Sequence, residues 1–310
     1  MKEMCRPARL SAGDTIGIIA PASCGEYEKI VEAARFFEQK GLRIRYGEAI
    51  AKRHGYLAGT DRERIDDLQR MFADPEVKAI FCARGGYGTG RIAAELDYEL
   101  IAQNPKIFWG YSDITFLHVA LQQKAGLVTF HGPMLTSDIA VEQPDPLTLQ
   151  TFEQLFAPQP LCYDESISPL QTLVEGEAEG TIIGGNLCLL VSTLGTEFEI
   201  DTKGKLLLIE EVDEEPYRID RMLNQLKMAG KFADAAGILL CDFSNCGPMK
   251  RQESLTLEQV FADHVVPAGK PTLLGFRIGH CSPNLAVPFG VKARLSTTNK
   301  SLTIEEAGVL

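Results

Sequence analysis

The chain has 310 residues, of which 45% are hydrophobic and 24% charged, a balance typical of a folded protein long enough for two domains. Its net charge of −11 and isoelectric point near 5.1 argue against nucleic acid and anionic membranes as partners, because both require a basic surface. No apolar run reaches the roughly 18 residues that a membrane helix needs. The first residues also lack the apolar core of a signal peptide, so we expect a cytoplasmic protein.

The first half of the chain alternates between strand and helix patterns. Predicted strands cover 14–23, 42–50, 77–83 and 106–111, predicted helices cover 26–41 and 91–103, and another helix opens at 60–63 and includes Phe72. Thr60 and Glu63 have the spacing of a capping box, which predicts that the second helix begins there. This alternation is typical of a mainly parallel sheet with helices on both faces.

The composition changes near residue 158, where a segment rich in Pro and polar residues predicts a linker over 159–178. We therefore predict an α/β N-terminal domain over 1–158 and a smaller mixed α/β domain over 179–310. Predicted strands at 205–212 and 235–243 flank a predicted helix at 218–230. Small-ligand sites concentrate in clefts between domains, so we expect the active site in the cleft between these two.

The eight cysteines have no repeating interval and include no CxxC pair. In a chain of this size without a leader they indicate reduced thiols, several of them in apolar strands. A zinc site is not expected, and we predict that the protein needs no metal or cofactor.

Ser112 is the first candidate for chemistry, because a predicted strand ends at Tyr111 and a predicted helix starts near Asp113. A serine at such a turn is held beside helix N–H groups that lack partners, as in a nucleophile elbow. The surrounding sequence, Gly-Tyr-Ser-Asp-Ile, lacks the second glycine of the usual G-x-S-x-G signature. The alternative interpretation is that Ser112 or Asp113 is an ordinary helix N-cap.

A serine nucleophile needs a base, and the chain has five histidines. His280 is the best placed, because Gly279 precedes it and prolines restrain the loop that follows. His131 follows a predicted strand and remains possible. His118 falls within a predicted helix and is expected to be structural, while His54 and His264 are expected to be solvated.

A histidine base needs an orienting carboxylate, and a predicted strand ends with Glu210 and Glu211. Side chains alternate along a strand, so one of the two is expected to face the core or the cleft and the other solvent. Glu210 directly follows four apolar residues and fits an acidic, solvated strand end less well than its neighbours do.

The glycine-rich stretch at 83–91 also follows a predicted strand and allows the backbone to approach a ligand closely. Its residues Gly88 to Ala93 match the dinucleotide fingerprint G-x-G-x-x-A. That fingerprint normally occupies the first strand-to-helix turn of its domain, which here has a different sequence. Dinucleotide binding is therefore a rival interpretation of this stretch.

Several motifs occur together and in order along almost the whole chain: GDTIGIIAPAS, YLAGTDRERIDDLQRMF, IFCARGGYG, WGYSDIT, HGPM, GGNL, LIEEVDEEPYRIDRML, GHCSPN and PFG. Together they resemble the LD-carboxypeptidase family, serine peptidases of murein tetrapeptide recycling. The resemblance implies a catalytic triad of Ser112, Glu210 and His280. It also implies an oxyanion hole formed by the backbone N–H groups of Asp113 and Gly86.

By the same resemblance, the substrate is a murein tetrapeptide in which meso-diaminopimelate or lysine precedes a terminal D-alanine, and the protein is a homodimer. Arg84, beside the glycine turn, is the candidate for binding the substrate carboxylate. One alternative is a peptidase resembling the microcin C self-immunity enzymes, which cleave aminoacyl or peptidyl nucleotides and carry longer, aromatic-bearing insertions. A second is a non-catalytic dinucleotide-binding protein.

Overall fold

The computed structural model describes residues 4–251 and 253–310. The chain forms two compact units. The N-terminal unit contains residues up to Gln159 together with Pro283–Gly290 and Ala307–Leu310, and the C-terminal unit contains Pro160–Ser282 and Val291–Glu306.

The strands of the described residues are, in chain order, β1 Thr15–Ile19, β2 Arg43–Tyr46, β3 Val77–Cys82, β4 Ile107–Gly110, β5 Thr129–His131, β6 Leu161–Asp164, β7 Gln171–Val174, β8 Glu177–Asn186, β9 Leu206–Val212, β10 Gly237–Ser244, β11 Thr272–Leu274, β12 Val287–Phe289, β13 Lys292–Ser296 and β14 Ser301–Ile304.

The α-helices are α1 Tyr27–Gln39, α2 Asp61–Ala73, α3 Thr89–Ile92, α4 Tyr98–Gln103, α5 Thr115–Ala120, α6 Pro146–Gln150, α7 Leu187–Thr193, α8 Pro216–Met228, α9 Lys231–Asp234 and α10 Leu257–His264. Short 3-10 turns cover Ala49–Ala51, Ala93–Glu95, Ser112–Ile114, Thr151–Leu155 and Val266–Ala268, and π-helical turns cover Leu121–Ala125 and Leu135–Ile139. Within the described ranges, no helix is both long enough and apolar enough to cross a membrane.

The N-terminal unit is built on a six-stranded sheet in the order β12-β5-β4-β3-β1-β2. Strands β1 to β5 are parallel, and β12 alone of the paired strands runs antiparallel, against β5. The predicted mainly parallel sheet is confirmed. Its core includes a cluster of buried aromatic rings in which the Trp109 and Phe152 centroids lie 4.7 Å apart. Parallel strands end together at one edge of a sheet, so the turns after β1, β3 and β4 come close to one another.

The C-terminal unit has an eight-stranded mixed sheet in the order β6-β14-β13-β8-β9-β10-β11-β7. Its centre, from β8 to β11, is parallel, and antiparallel strands complete both sides. The predicted mixed α/β character of this part is confirmed. The apolar residues Leu206–Ile209 of β9 are buried. Glu210 and Glu211 follow them and therefore lie at the end of a buried strand.

The division into units differs from the predicted one at Ala307–Leu310, which belongs to the N-terminal unit, and in two further places. The segment predicted as a linker, 159–178, instead contains β6 and β7, which pair with β14 and β11 of the C-terminal sheet. The stretch Pro283–Gly290 belongs to the N-terminal unit, because its strand β12 pairs with β5. Both differences come from pairing between residues distant in sequence, which local composition does not reveal.

The predicted start of α2 is confirmed, whereas the prediction of one helix over 91–103 is wrong. Thr60 and Glu63 form the predicted capping box, with both reciprocal hydrogen bonds present. The single helix predicted over 91–103 is instead divided into α3, a 3-10 turn and α4. The division arises because the Asp97 carboxylate accepts the N–H of Leu100 at 2.9 Å and starts a new helix.

We predict that Gly184→Ala unfolds or strongly destabilises the C-terminal unit. Gly184 lies in β8 with φ of +135°, and an added Cβ would stand 1.9 Å from the Leu208 carbonyl oxygen of the neighbouring strand. The expected loss in the free energy of unfolding is about 3 kcal/mol or more, measured by urea unfolding. The control is Gly195→Ala, where φ is +74° but the added Cβ meets nothing within 4 Å, so a loss of about 1 kcal/mol is expected. Equal losses for the two variants would contradict this account.

Candidate active site

Ser112 lies where the sequence places it, on the turn from β4 into the helical segment that leads to α5. Its φ is +64°, in the left-handed region that a residue with a side chain rarely adopts. It begins the 3-10 turn Ser112–Ile114, and its side chain is partly exposed, whereas its neighbours Tyr111 and Asp113 are buried. A strained, accessible serine at this position matches the geometry of a nucleophile elbow.

The glycine-rich turn after β3 lies against this serine. A Cβ added to Gly85 would stand 2.9 Å from Ser112 Cβ and 3.0 Å from Ser112 Oγ, so a side chain at 85 would collide with the serine. The next residue, Gly86, has φ of +105°, and a Cβ added there would collide with Ser23 in the loop after β1. Ser23 Oγ in turn accepts the N–H of Tyr87 at 3.1 Å. The turns after β1, β3 and β4 therefore converge on Ser112.

Asp113 holds the glycine-rich turn in place through its side chain and its backbone. Its carboxylate accepts the N–H of Thr89 at 2.9 Å, and its carbonyl oxygen accepts the Thr89 hydroxyl at 2.5 Å. Burial raises the pKa of Asp113, while the backbone hydrogen bonds from Thr89 and Gly88 oppose that rise. The alternative interpretation of Asp113 as an ordinary helix cap does not account for these contacts with the neighbouring turn.

Arg64 is a positioning residue that sequence reasoning missed. Its guanidinium is fully buried and donates from Nη1 to the carbonyl oxygens of Pro21, at 2.5 Å, and Gly88, at 2.9 Å. It also forms an ion pair with Asp61. It thereby joins the loop after β1 to the turn after β3. The helical pattern of α2 gave no signal for this role, because charged positions on a helix are usually solvated.

His280 and Glu210 form a hydrogen-bonded pair in the C-terminal unit. His280 Nδ1 lies 2.6 Å from Glu210 Oε2, and the glutamate side chain is 0% exposed while the imidazole is 18% exposed. The other carboxylate oxygen, Oε1, is buried and makes no hydrogen bond with any described residue. The carboxylate is therefore directed at the imidazole, as expected of a group that orients a base.

Gly279 makes this pairing possible. Its φ is +117°, and a Cβ there would stand 2.7 Å from Glu210 Oε2 and 2.9 Å from Glu210 Cβ. Any side chain at 279 would push the glutamate away from the imidazole. Position 279 is therefore a glycine for a steric reason.

Glu211 is buried, as Glu210 is, so the prediction that one of the two glutamates faces solvent is wrong. Its oxygens accept the Asn186 side-chain N–H at 2.8 Å, the Cys188 N–H at 2.9 Å and the Val212 N–H at 2.9 Å. Alternation along β9 holds, but the far face is covered by the start of α7. Burial, followed by the charge of Glu210, raises the pKa of Glu211 to about 7.

The remaining histidines have other roles. His118 is buried, its Nε2 lies 2.7 Å from the Gly110 carbonyl oxygen, and burial lowers its pKa to about 4, so it stays neutral, as its predicted structural role requires. His131 lies on β5, fully buried, with its ring 5.3 Å from that of Phe289. His54 is exposed as predicted. His264 is not simply solvated, because it pairs with Asp220 at 2.8 Å.

The dinucleotide fingerprint leads into α3, a helix of four residues. Gly88 has a structural role there, because an added Cβ would stand 2.7 Å from Arg64 Nη1. Arg84 is exposed beside Gly85, and its Nη1 donates to the Cys24 carbonyl oxygen at 3.2 Å. Among the described residues, no group of three or more His, Cys, Asp or Glu side chains is arranged to hold a metal ion.

Strained serines on strand-to-helix turns and buried imidazole–carboxylate pairs are features of hydrolases that work by acyl transfer. Two family models match the chain, the LD-carboxypeptidase N-terminal domain over residues 16–132 and the LD-carboxypeptidase C-terminal domain over residues 179–295. The chain belongs to the LD-carboxypeptidase family, and carboxypeptidase is the class of activity that this membership supports.

Several relatives are similar over nearly their full length. A probable murein peptide carboxypeptidase of Bacillus subtilis is 60% identical, covering 98% of this chain and 95% of the relative. The structure of a muramoyltetrapeptide carboxypeptidase from Oxalobacter formigenes matches with a TM-score of 0.83 and 28% identity, over 94% of this chain and 99% of that one. The microcin C7 self-immunity protein MccF of Escherichia coli is 29% identical, over 96% of this chain and 95% of its own. The wild-type MccF structure matches with a TM-score of 0.89 and 27% identity, over 99% of this chain and 100% of that one.

We predict that Gly85→Ala lowers peptide turnover by about 100-fold while the protein stays folded, because the new methyl group would displace Ser112 and a displacement of about 1 Å can cost that much. The measurement is kcat/KM beside a thermal unfolding curve. The matched control is Gly90→Ala in the helix that follows, where an added Cβ meets only the Phe116 ring, at 3.3 Å. A Gly85→Ala enzyme with undiminished turnover would show that the turn does not constrain the serine.

We predict that Glu211 makes stability depend on pH. Its pKa is raised from an ordinary value of 4.5 to about 7, so the folded protein binds its proton more tightly than the unfolded chain does. Its contribution to the free energy of unfolding is therefore largest below pH 4.5 and declines as pH rises towards 7. Glu211→Gln should remove this decline, as measured by urea unfolding across that range. Glu179→Gln, at an exposed position of β8, should keep it, and an unchanged slope in Glu211→Gln would contradict the assignment.

Proposed function

We propose that the protein is a serine-type LD-carboxypeptidase that releases the terminal D-alanine from murein tetrapeptides during peptidoglycan recycling. Ser112 is the nucleophile, His280 the general base and Glu210 the carboxylate that orients His280. The observation that carries the proposal is the backbone of Ser112, a non-glycine residue held at φ of +64° at a strand end. Strain of that kind costs about 1 to 3 kcal/mol and is kept at functional sites.

The pairing of His280 with Glu210 supports Nε2 as the nitrogen that takes part in the proposed reaction. In the proposed tautomer Nδ1–H donates to Glu210 Oε2, and Nε2 serves as the acceptor for a proton. In the proposed reaction Nε2 takes the proton of Ser112 Oγ as the hydroxyl attacks the last peptide carbonyl. The same proton then passes to the departing amine, D-alanine leaves, and a water activated by His280 hydrolyses the acyl-enzyme.

The backbone N–H groups of Asp113 and Gly86 are proposed as the oxyanion hole. Their turns are held by side chains with defined contacts, namely Asp113 on Thr89 and Ser23 on Tyr87. Each oxyanion donor is worth about 3 to 4 kcal/mol in comparable sites. Arg84, exposed next to Gly85, is the proposed partner of the substrate's terminal carboxylate, because a guanidinium can bind a carboxylate through two hydrogen bonds.

The murein enzyme is favoured over an immunity-type peptidase by the similarity to the Bacillus subtilis relative. The similarity to MccF keeps cleavage of aminoacyl nucleotides as the second candidate. The one tryptophan of the chain, Trp109, is fully buried and donates its ring N–H to the Pro133 carbonyl oxygen at 2.7 Å. It is therefore part of the core and does not offer a face for stacking on a nucleobase.

We also propose that the protein is cytoplasmic and forms a homodimer. All eight cysteines are free thiols, which fits a reducing compartment. The murein tetrapeptide is then a small peptide substrate delivered to the cytoplasm. Neither nucleic acid nor a membrane is proposed as a partner, in keeping with the net charge of −11.

The test is an assay of D-alanine release from tri-, tetra- and pentapeptides. We expect release from the tetrapeptide, a loss of at least about 1,000-fold in Ser112→Ala and in His280→Ala, and a smaller loss in Glu210→Gln. Each variant is compared with the wild type by circular dichroism so that a folding defect is recognised.

Near-wild-type turnover by folded Ser112→Ala would rule out the serine mechanism. Parallel incubation with an aminoacyl sulfamoyl adenosine separates the two substrates. Cleavage of that compound without release of D-alanine from any peptide would favour the immunity-type function.

A further inference from the structure

A β-bulge lies directly opposite Glu210. Leu240 of β10 pairs with Ile209 of β9, but the next paired residues are Phe243 and Glu211. Two residues of β10, Cys241 and Asp242, therefore stand against the single residue Glu210. Bulges of this kind redirect a side chain and occur often beside active sites.

The bulge connects Asp242 to the loop that carries His280. The N–H of Asp242 donates to the Ile278 carbonyl oxygen at 3.3 Å, two residues before His280. The Asp242 carboxylate accepts Arg277 Nη1 at 3.4 Å, and Arg277 Nη2 donates to the Ser282 carbonyl oxygen at 2.6 Å. Arg277 thus joins the base of the 277–282 loop to its end, and Asp242 anchors Arg277.

Asp242 is also electrically coupled to the pair that it flanks. Its Oδ2 atom is buried and makes no hydrogen bond with any described residue. Burial raises the pKa of Asp242, Arg277 lowers it, Glu210 raises it and His280 lowers it. Two carboxylates, one guanidinium and one imidazole therefore share this part of the C-terminal unit.

We propose that Asp242 and Arg277 act together as positioning residues for the proposed base: their ion pair holds the His280 loop in register with Glu210, and their opposite charges set the pH at which His280 becomes the neutral acceptor. The inference rests on the proposed role of His280. It assigns no contact with substrate to either residue.

The direction of each effect follows from the charges that face His280. These are Glu210 from β9 and Asp242 from β10, with Arg277 of the loop paired to Asp242; the thiol of Cys241 lies near Glu210, Asp242 and Cys281. Removing the negative charge of Asp242 destabilises the imidazolium form, so the pH at which His280 loses its proton should fall. Removing the positive charge of Arg277 should raise it.

The experiment measures the titration of His280 by NMR of protein labelled at histidine, with the resonance assigned by its absence in His280→Gln. We expect Asp242→Asn to move the His280 titration to lower pH by about half a unit or more and Arg277→Gln to move it to higher pH. The acid limb of kcat/KM for D-alanine release should shift in the same directions. Because NMR needs no turnover, shifts without any D-alanine release would refute the proposed function and leave this inference standing.

Arg277→Lys separates charge from position. The lysine keeps the positive charge, but it lacks the planar guanidinium that hydrogen-bonds Asp242 and Ser282 at the same time. We expect its titration to match the wild type while kcat falls about 10-fold or more because the base is less well placed. Wild-type kcat in folded Arg277→Lys would overturn the positioning role.

Asp220→Asn is the matched control, since it removes a carboxylate that lies 2.8 Å from a different histidine, His264, in the same unit. It should leave the His280 titration and the acid limb of kcat/KM where they are. An Asp242→Asn protein with an unshifted His280 titration would overturn the electrostatic role, as would a shift of equal size in Asp220→Asn.

Discussion

The hydrogen bond between Glu210 and His280 is the interaction that the C-terminal unit is arranged around. A carboxylate that is 0% exposed, with one oxygen lacking any hydrogen bond among the described residues, costs several kcal/mol of desolvation. Only a close partner offsets that cost, and the partner is an imidazole at 2.6 Å. Gly279 has no side chain because one would occupy this contact, and the bulge of β10 lies opposite the same glutamate. The local geometry thus follows from placing one charge in the interior.

In the N-terminal unit the main constraint is the strained backbone of Ser112. Ser112 stays in the left-handed region because neighbouring turns leave it no alternative: Gly85 packs against it, and Asp113 is fixed by Thr89. Arg64 extends the same support by binding carbonyl oxygens of two loops from inside the protein. The unfavourable conformation of one residue is sustained by the packing and hydrogen bonds of the neighbouring turns.

Sequence reasoning succeeded where the signal is local and failed where it depends on distant pairing. The strand-to-helix alternation, the capping box at Thr60 and the turn at Ser112 depend on near neighbours, and the structure has all three. The strands in 161–174 and the transfer of 283–290 to the first sheet depend on partners about 100 residues away or more. The choice of Glu210 over Glu211 came from the family resemblance, since alternation alone left it open. Burial of Glu211 was not predicted, because its partners Asn186 and Cys188, at the start of α7, lie 25 and 23 residues earlier in the chain.

Glu210 and Glu211 show how adjacent carboxylates acquire separate properties from their surroundings. Glu211 accepts three N–H groups, yet burial and the neighbouring charge raise its pKa to about 7. Glu210 faces the imidazole instead, with Asp242 and Arg277 beyond it. Near neutral pH, part of the Glu211 population carries a proton, which reduces the negative charge beside Glu210 without involving His280. Here Glu211 can change its protonation state while Glu210 keeps its hydrogen bond with His280.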